Sequence, residues 1–299
     1  VEFIDILISI VLALVMFGIG ATLNFRDFRR TFVIPRALLL GLVLQMIFLP
    51  VLAFFLARFS GLDPTWQVGF FLIAICPGGS TSNFISYIVN ADVALSIALT
   101  SVNSILILVT IPLLTNFAAG YFIEEAEVSR IHIGSTFIQI FFILFLPVLL
   151  GIAVNYWNRS LIQKSKKPLK IINVILLGLV FGIKFFAPET EGGSGITTED
   201  IIQILPSTLW LHSIALMVSY LVALKVLDKF MQATTISIEV GLQNTTLALL
   251  IAGTILEQNE MTKPALVYAL FSFFTTLVFA LITTRFGRQI GRFMRIGKK

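Results

Sequence analysis

Ile236–Asn244, I-S-I-E-V-G-L-Q-N, interrupts an otherwise apolar run near the C-terminus. Glu239 has helix-length hydrophobic sequence on both sides. A carboxylate at membrane depth costs roughly 2.5–3.5 kcal/mol on insertion scales, so something must compensate it. Gly241 can open the helix there, and Gln243 and Asn244 add carbonyl oxygens. A carboxylate beside freed backbone carbonyls suits a small, hard cation.

The composition around this stretch sets the class. The 299 residues are 57% hydrophobic and only 12% charged, against about 25% charged in soluble domains. The chain is therefore expected to be an all-α polytopic membrane protein. Nine segments approach the ~20 residues that a bilayer core requires. They run at about 3–23, 33–57, 65–89, 93–120, 132–157, 169–187, 204–226, 231–256 and 264–284. The first has Glu2 and Asp5 at its front in place of a basic leader, so it is expected to be a retained span. The lone Cys76 excludes an intrachain disulfide and a Cys-rich metal site.

The net charge of +5 could suggest nucleic acid, but its distribution points to the bilayer. Seventeen of the 21 basic residues fall in 24–36, 159–170, 225–229 and 285–299, all on one side if nine spans are correct. The positive-inside rule then puts the N-terminus outside and the C-terminus in the cytoplasm, in a plasma (inner) membrane. The basic tail is read as topology and headgroup contact. No feature asks for an obligatory protein partner.

A second break matches the first. Span three is interrupted at C-P-G-G-S-T-S-N, Cys76–Asn83, as span eight is at Glu239–Asn244. Each is the second-last span of a four-span group, one to four and six to nine. The offset of five is odd, so equivalent spans run in opposite directions. Paired interruptions in inverted halves are a sequence pointer to a transporter binding site. Pro77 removes a backbone donor, and Gly78 and Gly79 lower the cost of unwinding. Such backbone is tolerated at membrane depth where it lines a cavity or is buried in protein; a simple helix kink is the plainer alternative.

Around the breaks lies a polar set. Asp92 reads as the N-cap of span four. Ser96 and Thr100, four apart, share one face, and Asn103 and Ser104 extend that stripe. Taken alone, Ser96 and Thr100 read first as interhelical glue; beside a carboxylate-bearing broken helix they read as ligands. Gln45 sits mid-span ahead of Pro50, which should bend its helix; an interhelical hydrogen bond explains it as well as a site does. His132 at a membrane edge and His212 inside span seven lack partners at metal spacing and read as packing residues.

At these residues the sequence resembles the bile acid:sodium symporter family. The resemblance is carried by P-G-G-S-T-S-N (Pro77–Asn83), A-L-S-I-A-L-T (Ala94–Thr100) and I-E-V-G-L-Q-N (Ile238–Asn244), and covers essentially the whole chain 1–299 as one transmembrane unit. It implies two crossed discontinuous helices in a core domain (33–57, 65–89, 93–120, 204–226, 231–256, 264–284). A panel domain (3–23, 132–157, 169–187) would pack against that core, with substrate between them. It implies two Na+ sites. The first would use Ser82, Asn83, Ser96, Thr100 and Glu239. The second would use Gln45, Gln243 and Glu239 with the Val240 and Leu242 carbonyls. Substrate would meet Ser80, Thr81 and Asn244, with Pro77, Gly78, Gly79 and Gly241 making the breaks. Many bacterial members have ten spans, and this chain resembles the nine-span arrangement of animal members. Thr275 and Thr276 stand where some relatives carry bulkier polar groups.

The expected function is sodium-coupled import of an organic anion, such as a bile salt or small carboxylate, by alternating access. One alternative is a proton-coupled carrier or cation/proton antiporter in which Glu239 titrates; such carriers often hold paired intramembrane acids, and only Glu239 lies deep here. A remote alternative is an intramembrane hydrolase, for which the single deep His212 lies far along the chain from the Ser-rich run. The chain is not expected to be an enzyme.

Overall fold

The computed structural model describes residues 35–123, 146–188 and 193–296, with a few single positions between 10 and 21. Most of span 3–23, residues 132–145 with His132, the loop bearing Arg26, Arg29 and Arg30, and the last three residues lie outside the described residues.

Among the described residues the protein is all-α. The helices are α1 (Pro35–Val43), α2 (Leu49–Phe59), α3 (Pro64–Ile75), α4 (Ser80–Ile88), α5 (Val93–Phe122), α6 (Leu146–Trp157), α7 (Arg159–Phe186), α8 (Thr198–Leu227), α9 (Phe230–Gly241), α10 (Thr245–Leu250) and α11 (Lys263–Ile296). Four continuous stretches, 36–59, 93–122, 198–227 and 260–285, are long and apolar enough to cross a membrane. The two interrupted segments are split into pieces too short to do so singly: α3 with α4, and α9 with α10.

The helix ends follow local chemistry. Asp63 accepts from the Thr65 amide at the start of α3, and Asp92 accepts from the Leu95 amide at the start of α5, as its sequence position predicts. Thr197 and Asp200 form a reciprocal capping box on α8, which starts at Thr198, several residues before the hydrophobic run expected from 204. Helix α7 likewise begins at Arg159, inside the basic stretch.

Pro50 has a different consequence from a plain bend. It has no N–H, and the turn before it, Leu44–Phe48, is a π-turn in which the Leu49 amide reaches back to Leu44. A second π-turn, Ile251–Ile255, follows α10, with the Leu256 amide bonded to the Ile251 carbonyl. The sequence expectation included neither.

Burial ranks the elements. In α3 every residue from Val68 to Ile75 is buried, and in α9 every residue from Gln232 to Gly241. A helix buried on all faces belongs in the middle of a fold. By contrast, α2, α5, α8 and α11 turn large apolar side chains outward, including Phe59, Phe117, Trp210 and Phe274. Such a surface suits lipid and not water. The half-helices that lead into the breaks are thus the innermost parts, wrapped by longer helices.

Polar contacts join three helix starts at one end. The Lys263 ammonium lies 3.1 Å from Asp200 and 2.6 Å from Glu260, over the Trp66 ring, and the Trp66 indole donates to Glu260 at 2.7 Å. This fixes the starts of α3, α8 and α11 relative to one another.

Candidate functional site

The two breaks meet. Gly78 and Gln243 pair as an antiparallel bridge, and the Asn244 amide donates to the Pro77 carbonyl at 2.9 Å. Each interrupted backbone therefore supplies hydrogen-bond partners that the other lost on leaving the helix. Beyond the crossing, Asn244 caps α10 by accepting from the Leu247 amide, and α4 starts at Ser80 with Gly79 as its extended N-cap.

Glu239 sits in the last turn of α9, 1% exposed. Its Oε1 accepts from Ser82 Oγ at 2.8 Å and from Ser96 Oγ at 2.5 Å, and its Oε2 accepts from Thr100 Oγ1 at 3.0 Å. Ser96 and Thr100 also stand 2.8 and 3.4 Å from Asn83 Oδ1. Ser82 Oγ lies 2.7 Å from the Gly79 carbonyl, and Thr100 Oγ1 lies 3.0 Å from the Ser96 carbonyl. Ser82, Asn83, Ser96, Thr100 and Glu239 are thus gathered from α4, α5 and α9 into one cluster.

The protons in that cluster do not suffice. Each hydroxyl carries one, so Ser82, Ser96 and Thr100 bring three. The acceptors that depend on them are both Glu239 oxygens and Asn83 Oδ1; the Gly79 carbonyl already takes the Ser82 amide at 3.1 Å, and the Ser96 carbonyl lies within the helical ladder of α5. An ionised carboxylate offers about four lone pairs and an amide oxygen two, so three hydroxyl hydrogens leave lone pairs over, which a hard cation can meet. Gly78 leaves room for this: a Cβ there would stand 2.5 Å from Glu239 Oε2 and 3.3 Å from Ser82 Oγ. Among the described residues no three His, Cys, Asp or Glu side chains gather at a metal-binding distance. An all-oxygen set with one carboxylate suits an alkali or alkaline-earth ion and not a transition metal.

A second group lies across the break. Gln45, on the first π-turn, donates from Nε2 to Gln243 Oε1 at 2.9 Å and to the Cys76 carbonyl at 3.2 Å. Gln243 Nε2 donates to the Val240 carbonyl at 2.6 Å. Gln45 Oε1 is buried without a partner, and such an acceptor costs about 1–3 kcal/mol unless something meets it. Leu242, in extended backbone after α9, is buried beside this group.

The remaining sequence candidates fall at the crossing. Thr81 is exposed and Asn244 partly buried; Ser80 opens α4, and its side chain lies outside those described. Asn103, read as part of the polar stripe, is fully buried with neither side-chain atom partnered. His212 is hydrogen-bonded within the core, as a packing residue should be: Nδ1 lies 3.0 Å from both the Gly241 carbonyl and the Tyr268 hydroxyl, and Nε2 lies 2.7 Å from Thr275 Oγ1. Tyr268 also donates to the Gly241 carbonyl. The sequence reading missed Tyr268; the only available signal was a phenol inside an apolar span, whose hydroxyl needs a partner when buried.

Comparison with known proteins bears on this geometry. Residues 9–188 match the model of the sodium bile acid symporter family, a stretch that includes the first break and the Ser96–Thr100 face. A probable chloroplast sodium/metabolite cotransporter of Arabidopsis thaliana is 31% identical over 245 residues, covering 81% of this chain and 57% of that protein. A sodium-dependent transporter of Bacillus subtilis, itself uncharacterized, is 28% identical over 287 residues, covering 95% of this chain and 84% of that one. The ileal sodium/bile acid cotransporter of Oryctolagus cuniculus is 25% identical over 297 residues, covering 95% and 81%. The chain spans a little over half the length of the chloroplast relatives, 56% and 57%.

Proposed function

The chain belongs to the sodium bile acid symporter family, and on that premise we propose that it is a sodium-coupled secondary active importer of an organic anion. The observation that carries this reading is the proton-poor oxygen cluster around Glu239. In it Ser82, Asn83, Ser96, Thr100 and Glu239 bind one Na+ as co-substrate. A second Na+ takes the unpartnered Gln45 oxygen, Gln243 and the backbone carbonyls of Val240 and Leu242, sharing the charge of Glu239. The relatives' names, which speak of sodium with bile acid or with metabolite, agree with a sodium-coupled carrier rather than an enzyme.

Two Na+ against one carboxylate leave a net +1, which an anionic cargo offsets. The cargo meets Ser80, Thr81 and Asn244 at the crossing, where the N-terminal ends of α4 and α10 add favourable dipole. It is a bile salt or a small carboxylate. Nine spans in inverted halves, a panel of 3–23, 132–157 and 169–187 rocking against the core, and a cytoplasmic C-terminus in a plasma membrane complete the proposal.

Uptake into proteoliposomes tests it. Across a panel of labelled bile salts and small carboxylates, at least one should accumulate above its external concentration under an inward Na+ gradient and not under K+. Accumulation driven by a pH gradient, indifferent to Na+, would contradict this reading and favour a proton-coupled carrier with Glu239 titrating.

A further inference from the structure

The peptide group joining Gly241 to Leu242 is held at both ends. Its N–H donates to the Ile238 carbonyl at 2.9 Å, closing the last turn of α9. Its C=O receives the Tyr268 hydroxyl and lies 3.0 Å from His212 Nδ1. A peptide unit is planar, so anchoring both ends fixes its orientation. Without the second anchor this carbonyl would be one of the orphans of a helix end, free to swing where Leu242 turns to extended backbone.

The hydrogens assign a direction to the network. A carbonyl only accepts, so both Tyr268 O–H and His212 Nδ1 must donate to Gly241. With the proton on Nδ1, Nε2 is an acceptor, and Thr275 Oγ1 gives its single proton to Nε2 at 2.7 Å, its shortest contact, ahead of the Phe271 and Ser272 carbonyls at 2.9 and 3.2 Å. Thr275 is exposed on α11, while His212 and Tyr268 are buried. The chain of bonds thus runs from the protein's surface to the peptide group two residues beyond Glu239.

We propose that His212 and Tyr268 are positioning residues for the cation site: they clamp the Gly241 carbonyl, and Thr275 sets the imidazole that does so. This rests on the sodium reading of the Glu239 cluster. The clamp holds the last turn of α9 in the register that turns Glu239 toward Ser82, Ser96 and Thr100, and leaves the Val240 carbonyl to Gln243. None of the three side chains is among the cluster's oxygens. Their loss should therefore weaken Na+ binding through the backbone alone.

The test is the melting temperature of the purified full chain, titrated with NaCl against KCl at constant ionic strength, since a ligand that binds the folded state raises it by mass action. Losing a hydrogen bond to the clamped carbonyl should raise the half-saturating Na+ concentration about 3- to 10-fold in Tyr268→Phe and His212→Leu. His212→Asn, whose amide N–H can stand in for Nδ1–H, should restore most of it. Thr275→Val, at an exposed position, should raise it about twofold with little change of melting temperature in K+. A purely structural role lowers the melting temperature in both salts and leaves the half-saturating Na+ concentration alone; that result would overturn the proposal. If His212→Leu does not fold, Tyr268→Phe and Thr275→Val decide it. A wild type that ignores Na+ would remove the sodium reading and this inference together, whereas a responsive wild type with unshifted variants removes the inference only.

Discussion

The two helix breaks do the same job by different means. The first, Pro77-Gly78-Gly79, is written into the backbone: a proline with no N–H, then two residues of low helix propensity. The second, Gly241 to Asn244, has no proline, and most of its residues could continue a helix. Tertiary contacts hold it open instead. The Gly241 carbonyl is taken by Tyr268 and His212, and the Asn244 amide donates to the Pro77 carbonyl, while within the break itself the Gln243 side chain takes the Val240 carbonyl. A break encoded locally needs no neighbour to open the helix. One held by neighbours can respond to what those neighbours bind, and it is the one that bears the carboxylate.

The largest effect expected is at that carboxylate. Glu239→Gln keeps the shape and removes the charge, and should weaken Na+ binding by about 100-fold or more, at ~1.4 kcal/mol per decade; a sodium titration of the melting temperature reads this. Next comes Gly78→Ala, whose Cβ would enter the space against Glu239 Oε2. It should cost about 1–3 kcal/mol as overpacking and also weaken the Na+ response, because the displaced group is the carboxylate itself.

Gly241→Ala sharpens the contrast between the breaks. Its Cβ meets the Leu216 side chain, 2.6 Å from Cγ. The cost should again be about 1–3 kcal/mol, but spread over both salts, with a smaller change in half-saturating Na+ than Gly78→Ala gives. Asn244→Ala removes the cap on α10 and should cost about 0.5–2 kcal/mol, read as a lower melting temperature in K+. Smallest is Gly79→Ala. Gly79 has extended backbone, and a Cβ there would come no nearer than 3.7 Å to Asn244. A shift within about 0.5 kcal/mol is expected.

The same contrast explains what could be read from the sequence. Breaks and caps follow from residue type, so Pro77–Gly79 and Asp92 were legible, as was the cost of an unpaired Glu239 in an apolar run. The four continuous stretches able to cross a membrane were equally plain from hydropathy. The π-turns were not, because Pro50 fixes only that one hydrogen bond is missing and leaves open how the helix absorbs the loss. Gln45 read as glue or ligand with equal weight; its meeting with Gln243, 198 positions away, depends on how the helices cross. The clamp on Gly241 was hidden for a similar reason. No residue type reports where a backbone carbonyl points, and Tyr268 and His212 each look like ordinary core residues until that carbonyl is located.

Equilibrium binding of radiolabelled sodium to the purified protein, without any cargo, in wild type and in Glu239→Gln, Ser82→Ala and Gln45→Leu, tests the cation site itself. Saturable binding, competed by unlabelled Na+ and not by K+, is expected in the wild type. That binding should be weakened about 100-fold or more in Glu239→Gln, weakened less in Ser82→Ala, and reduced in stoichiometry in Gln45→Leu. Wild-type binding that persists unchanged in Glu239→Gln, or no saturable binding at all, would contradict the cation site.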